Sequence, residues 1–118
     1  MTNPRIVVIT GAAGGLGQEL TRLHLTKGDT VIATGRSMAG LEAMRERLGA
    51  PDRLFLHRLD VTDNEAVRQF AAWVQIRFGR CDLLYNNAGT AVFVPLAQMR
   101  LDELETILAT NIAGPLYV

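Results

Sequence analysis

Thr10-Gly-Ala-Ala-Gly-Gly-Leu-Gly17 is the stretch on which the fold turns. It follows the apolar run Arg5-Ile-Val-Val-Ile9 and opens a segment with helical spacing, so a strand turns sharply into a helix there. Glycines at Gly11, Gly15 and Gly17 suit that turn and leave the backbone bare. Amides without neighbouring Cβ atoms can approach a pyrophosphate, and the helix N-terminus adds partial positive charge. The spacing differs from the GxGxxG of the general dinucleotide fingerprint, and a tight turn with no ligand is the plain alternative.

Working outward, strands and helices alternate. Leu16, Leu20 and Leu23 recur at helical spacing, and Gly28 is placed to end that helix in a left-handed cap. Thr30-Val-Ile-Ala-Thr34 reads as a second strand, and Leu41, Met44 and Leu48 as the apolar face of a second helix stopped by Gly49 and Pro51. Leu54 to Leu59 reads as a third strand, interrupted by His57 and Arg58 as an edge strand with one wet side would be. Thr62 and Glu65 form a capping box ahead of a helix marked by Val67, Phe70, Ala71, Val74 and Phe78. Asp82 to Tyr85 is a fourth strand ending in Asn86-Asn-Ala-Gly89, and Leu101, Leu104, Leu108 and Ile112 give a last helical face.

This βαβαβαβα series is the pattern of an α/β fold: a partial, Rossmann-like doubly wound parallel sheet with strand order 3-2-1-4. The switch point falls between strands one and four, whose carboxyl ends carry the glycine turn and Asn86 to Gly89. Both unusual stretches meet where such sheets bind ligands.

Composition narrows the partners. The chain has 118 residues, 12 basic against 12 acidic, and 48% apolar residues, which suits one globular domain and argues against nucleic acid or membrane as the main partner. Cys81 is the single cysteine, so no intrachain disulfide forms, and the chain reads as cytoplasmic. His24 and His57 read as packed or surface imidazoles, and no metal centre is expected.

With these stretches in place the chain resembles the short-chain dehydrogenase/reductase family. Thr10 to Gly17 matches the family's TGxxxGxG, Asn86 to Gly89 its NNAG, Leu59-Asp60-Val61 its D-V segment, and Thr110-Asn111 with Gly114 the Asn-containing helix that follows. The resemblance implies hydride transfer between NADP(H) and an alcohol or carbonyl. It makes Gly11, Ala13, Gly14, Gly15, Leu16 and Gly17 the cofactor turn, with the amides around Gly15 and Leu16 facing the pyrophosphate. Asp60 and Val61 would read the adenine, and Asn87, Ala88 and Gly89 would line the ribose side. Asn111 is the catalytic position it implies, its carbonyl holding a proton-relay water. Pro115 has no N–H to bond the Asn111 carbonyl, which agrees with that role, although it also suits a simple helix end.

The end of strand two sets cofactor choice. An enzyme selective for NAD places an acid there for the ribose hydroxyls. Here Thr34-Gly35-Arg36-Ser37 offers room, a cationic fork and a hydroxyl, which suits a 2′-phosphate, so NADP is expected over NAD.

The family's acid/base groups, a Ser and a Tyr-x-x-x-Lys, find no match. Lys27 is the only lysine and Ser37 the only serine, and neither Tyr85 nor Tyr117 has a lysine four residues on. Residues 1–118 are therefore expected to be an NADP-binding Rossmann domain truncated before those groups and inactive alone. Two alternatives stand beside the reductase part: a non-catalytic dinucleotide-binding module, and an interaction fragment pairing with a full-length relative. In that third reading the open strand-four edge and the last helix pair with the relative, and the same two surfaces also offer a route to a homo-oligomer.

Overall fold

The computed structural model describes residues 4–86 and the backbone of 92–95. In chain order the elements are β1 (Ile6–Ile9), α1 (Gly15–Thr26), β2 (Thr30–Gly35), α2 (Met38–Arg47), β3 (Leu54–Arg58), α3 (Asn64–Phe78), β4 (Leu83–Asn86) and β5 (Val92–Pro95). The sheet order is β3-β2-β1-β4-β5. The first four strands are parallel in the expected 3-2-1-4 order, and β5 is antiparallel to β4.

Both faces of the sheet are covered, which is why the strands read as apolar runs rather than alternating patterns. Successive side chains still point to opposite faces. Val7 and Ile9 join Ala33, Leu41, Met44 and Leu54 on the α1/α2 side, while Val8 joins Ile32, Phe70, Val74 and Leu84 under α3. Cys81 is buried in the second cluster, where its thiol donates to the Leu83 carbonyl at 3.3 Å. Burial pushes its pKa up to about 12, so it is inert rather than nucleophilic.

Three expectations change. The stripe Leu16, Leu20, Leu23 is not the packed face of α1: Leu16 and Leu23 are about half exposed, and the sheet-facing residues are Gly17, Thr21, His24 and Leu25. The helix lies too close to the glycine turn for a large side chain there. A Cβ on Gly17 would run into the Gly11 carbonyl oxygen and sit 2.7 Å from the Ala12 Cα.

The capping box gives way to Asp63, whose carboxylate accepts from the Glu65 and Ala66 amides at 3.1 Å each. Thr62 turns instead toward Asp60. The third change is at β4, whose outer edge is not open, because β5 pairs along it from Asn86 opposite Val92 to Leu83 opposite Pro95. The expected route to a homo-oligomer through that edge is thus occupied by the chain's own backbone. β3 does lie at the sheet edge, as expected, but His57 is half-buried, its ring packed against Phe70 and Trp73.

His24 is also fixed. Its Nδ1 lies 2.8 Å from Asp29 and its Nε2 2.8 Å from the Tyr85 hydroxyl, so α1, the start of β2 and β4 are tied together. Among the described residues no helix is long and apolar enough to cross a membrane.

Candidate functional site

The carboxyl ends of β1, β2 and β3 open into one cleft of about 630 Å³, within the usual size range of small-molecule sites. Its wall is made of Gly11, Ala13 and Gly14 from the glycine turn, Thr34 to Ser37 from the end of β2, and Leu59 to Thr62 beyond β3. Three stretches separated by two helices thus converge because parallel strands all point their carboxyl ends the same way.

The turn is held from both sides. The Thr10 amide donates to the Tyr85 carbonyl and the Ala12 amide to the Thr34 carbonyl, each at 3.0 Å. The Thr10 hydroxyl also donates to Asn86 Oδ1 at 3.1 Å. Gly11 takes a positive φ of 60°, which a side chain would strain. Gly14 is the N-cap of α1 and brings no side chain to it, and the first turn has no acidic residue. The amides of Gly15, Leu16 and Gly17 have no helical carbonyl to bond, so the N-terminus is electrostatically suited to an anion. A Cβ on Gly15 would meet nothing within 4 Å, so that glycine keeps the approach clear rather than serving the packing.

At the second wall, Gly35 leaves the strand end bare, and Arg36 and Ser37 are exposed. Ser37 is the N-cap of α2, its Oγ accepting from the Gly40 amide at 3.1 Å. That bond uses a lone pair and leaves the hydroxyl hydrogen to donate.

At the third wall, Asp60 accepts from the Thr62 hydroxyl at 2.6 Å and the Thr62 amide at 3.0 Å. These two bonds hold its carboxyl below the ordinary aspartate value, and the charges of Arg36 and Arg58 act in the same direction. Asp60 is thereby an oriented, ionised acceptor. Val61 is buried and packs into the α3 cluster.

Of the residues singled out in the sequence, Gly11, Ala13, Gly14, Arg36, Ser37, Asp60 and Val61 line the cleft. Gly15 and Leu16 open α1 beside it, and Gly17 serves the close packing of turn and helix. Asn87, Ala88, Gly89 and Asn111 lie outside the described residues. Thr34, Leu59 and Thr62 also line the cleft and were not among the candidates. Thr62 had a signal, since a threonine two residues after an aspartate is the spacing of an Asx turn.

The residues fit a dinucleotide. The unfilled helix N-terminus, the glycines on its approach and the oriented Asp60 acceptor match a pyrophosphate and a base, and the Arg36 guanidinium makes no hydrogen bond or close ion pair among the described residues.

The family model for short chain dehydrogenase matches residues 5–118. Among curated proteins, the chain is 35% identical over 114 residues to the NADP-dependent 3-hydroxy acid dehydrogenase YdfG of Escherichia coli O6:H1, covering 96% of this chain and 45% of that one. It therefore spans about half the length of the curated relatives it matches. Among solved structures, a short-chain dehydrogenase from Streptomyces avermitilis superposes with a TM-score of 0.69 at 38% identity, over 75% of this chain and 32% of that chain. A metagenomic short-chain oxidoreductase in complex with NADP gives 0.68 at 33% identity, over 73% and 39%.

Proposed function

Because the chain belongs to the short-chain dehydrogenase family, we propose that it is the cofactor-binding part of an NADP-dependent oxidoreductase that moves hydride between NADP(H) and an alcohol or carbonyl substrate. The observation that carries the reading is the cleft that joins the glycine turn to Arg36, Ser37 and Asp60. The cofactor, when bound, would give hydride to a carbonyl in its reduced form or take it from an alcohol in its oxidised form. The α1 amides of Gly15 and Leu16 take the pyrophosphate, Asp60 and Val61 the adenine, and Arg36 with the Ser37 hydroxyl the 2′-phosphate. Asn87, Ala88 and Gly89 belong to the ribose side, and Asn111 to the proton relay. The YdfG relative and the NADP-bound structural neighbour favour NADP over NAD.

These 118 residues include no tyrosine four positions before a lysine, so the chain supplies binding rather than acid/base groups and turns over no substrate by itself. We place it in the cytoplasm, in keeping with its single buried cysteine. Calorimetric titration with NADP and NAD tests the reading. NADP should bind at least about tenfold more tightly, a difference of about 1.4 kcal/mol, and Arg36→Asp should reverse the order. Equal affinities that Arg36→Asp leaves unchanged would remove Arg36 and the NADP preference together.

A further inference from the structure

We infer that Arg58 is a second reader of the 2′-phosphate, reaching it from the strand position beside Gly35 and sharing it with Arg36. This rests on the NADP reading of the cleft and adds a specificity-determining residue to it.

The placement follows from the pleat. Along β3, Leu54 and Leu56 pack on the α1/α2 side, whereas Phe55 packs under α3 and the His57 ring meets Phe70 and Trp73. Side chains alternate between faces, so Arg58 follows Leu54 and Leu56 to the α2 side. Arg58 is in register with Gly35 of β2, and register partners share a face. Gly35 confirms which face that is, since a Cβ built on it would point at Leu41 of α2, 3.5 Å away.

The strands are about 4.8 Å apart, and the residue between Arg58 and the start of α2 has no side chain. Leu41 packs over Gly35 on this face, and the register sets the exposed Arg58 one strand away from the Arg36-Ser37 corner.

Charge points the same way. Arg58 is exposed, and its guanidinium makes no hydrogen bond or close ion pair among the described residues; Arg36 shares both properties. Asp60 is the acid on which both arginines act, and its carboxylate is already engaged by Thr62. Two unneutralised cations beside one occupied carboxylate leave a surplus of positive charge at the cleft mouth. A phosphate monoester of charge about −1.5 to −2 matches that surplus, where a ribose hydroxyl does not.

The test uses adenosine 2′,5′-bisphosphate and adenosine 5′-monophosphate as probes, titrated calorimetrically into the 118-residue chain and its variants. Arg58→Gln should weaken the bisphosphate about tenfold and leave the monophosphate within about twofold, with Arg58→Lys restoring part of the loss. Matching unfolding midpoints exclude a folding defect, and none is expected for an exposed side chain without bonds. An equal loss for both probes, or no loss for either, overturns the inference. If Arg36→Gln abolishes the bisphosphate preference while Arg58→Gln spares it, the NADP reading stands and only Arg58 is removed. If the unsubstituted chain does not distinguish the two probes, the NADP reading falls and this inference falls with it.

Discussion

At the scale of single residues, the glycines of the turn divide into two kinds that sequence spacing does not separate. Gly17 is held by sterics, because any Cβ there meets the backbone of Gly11 and Ala12, which cannot move as a flexible side chain would. Gly15 faces open space, so packing does not require its bare backbone, and under the proposed function that backbone serves the cofactor. Gly17→Ala should therefore lower unfolding free energy by roughly 1–3 kcal/mol or more, as overpacking against fixed atoms does. Gly15→Ala should leave stability unchanged or raise it by about 0.5–1 kcal/mol through its helix propensity, while weakening NADP binding. Denaturant melts and calorimetry on the two variants check both halves. A stable Gly17→Ala, or a Gly15→Ala that binds normally, would contradict the division.

Secondary-structure elements are locked together by a polar contact where hydrophobic periodicity suggested an apolar one. Asp29, immediately before β2, accepts from the Arg5 amide at 3.1 Å and from His24 Nδ1 at 2.8 Å, while Arg5 adds an ion pair at 3.3 Å. In the neutral His24 ring this leaves Nε2 to accept the Tyr85 hydroxyl proton. Burial raises the Tyr85 pKa further, so the phenol stays protonated. For Asp29 burial alone would raise the pKa, but the bonds from His24 and Arg5 outweigh it and hold the carboxyl below the ordinary aspartate range.

A group whose folded pKa is depressed stabilises above its unfolded value and loses that contribution as pH falls through the folded value. Asp29 thus supports the fold at neutral pH and fails it below about pH 4. Asp29→Asn should cost about 1–3 kcal/mol at pH 7 and flatten the acid limb of a stability profile measured by urea melts from pH 7 to pH 2. An unchanged acid limb would mean that Asp29 does not contribute to it.

For the whole molecule, the question is how a four-strand parallel sheet tolerates a strand as apolar as Leu83 and Leu84 at its border. The answer is β5, whose backbone completes the hydrogen bonding of β4 in the antiparallel sense. Unpaired edges recruit other chains. Replacing both Phe93 and Val94 by proline removes a donor on β4's side whichever of the two faces it, since consecutive residues alternate. That double variant should form larger species that grow with concentration in light scattering, relative to the unsubstituted chain. The same size distribution in both would show that β5 does not protect the edge.

What the sequence determined by itself was the architecture and most of one wall after another of the cleft. Apolar β-branched runs alternating with helical spacing require a parallel sheet with crossovers, and right-handed crossovers leave little choice of strand order. A glycine-rich turn between strand and helix, an arginine where an acid would read a ribose, and an aspartate-threonine spacing are chemical signals carried by residue type alone. What only the tertiary structure decided depended on distance between elements. Leu16 and Leu23 lost the packed face of α1 to Gly17, Thr21 and His24 because the helix lies so near the turn. Asp63 took the cap, because helix starts are settled by a contest among neighbouring acceptors. The His24, Asp29 and Tyr85 contact joins residues as far as 61 positions apart. Arg58 came to lie opposite Gly35 of the cleft wall only through the register of β3 on β2. Periodicity is a local property and survives in the sequence, whereas proximity across elements is created by packing and exists only in the folded chain.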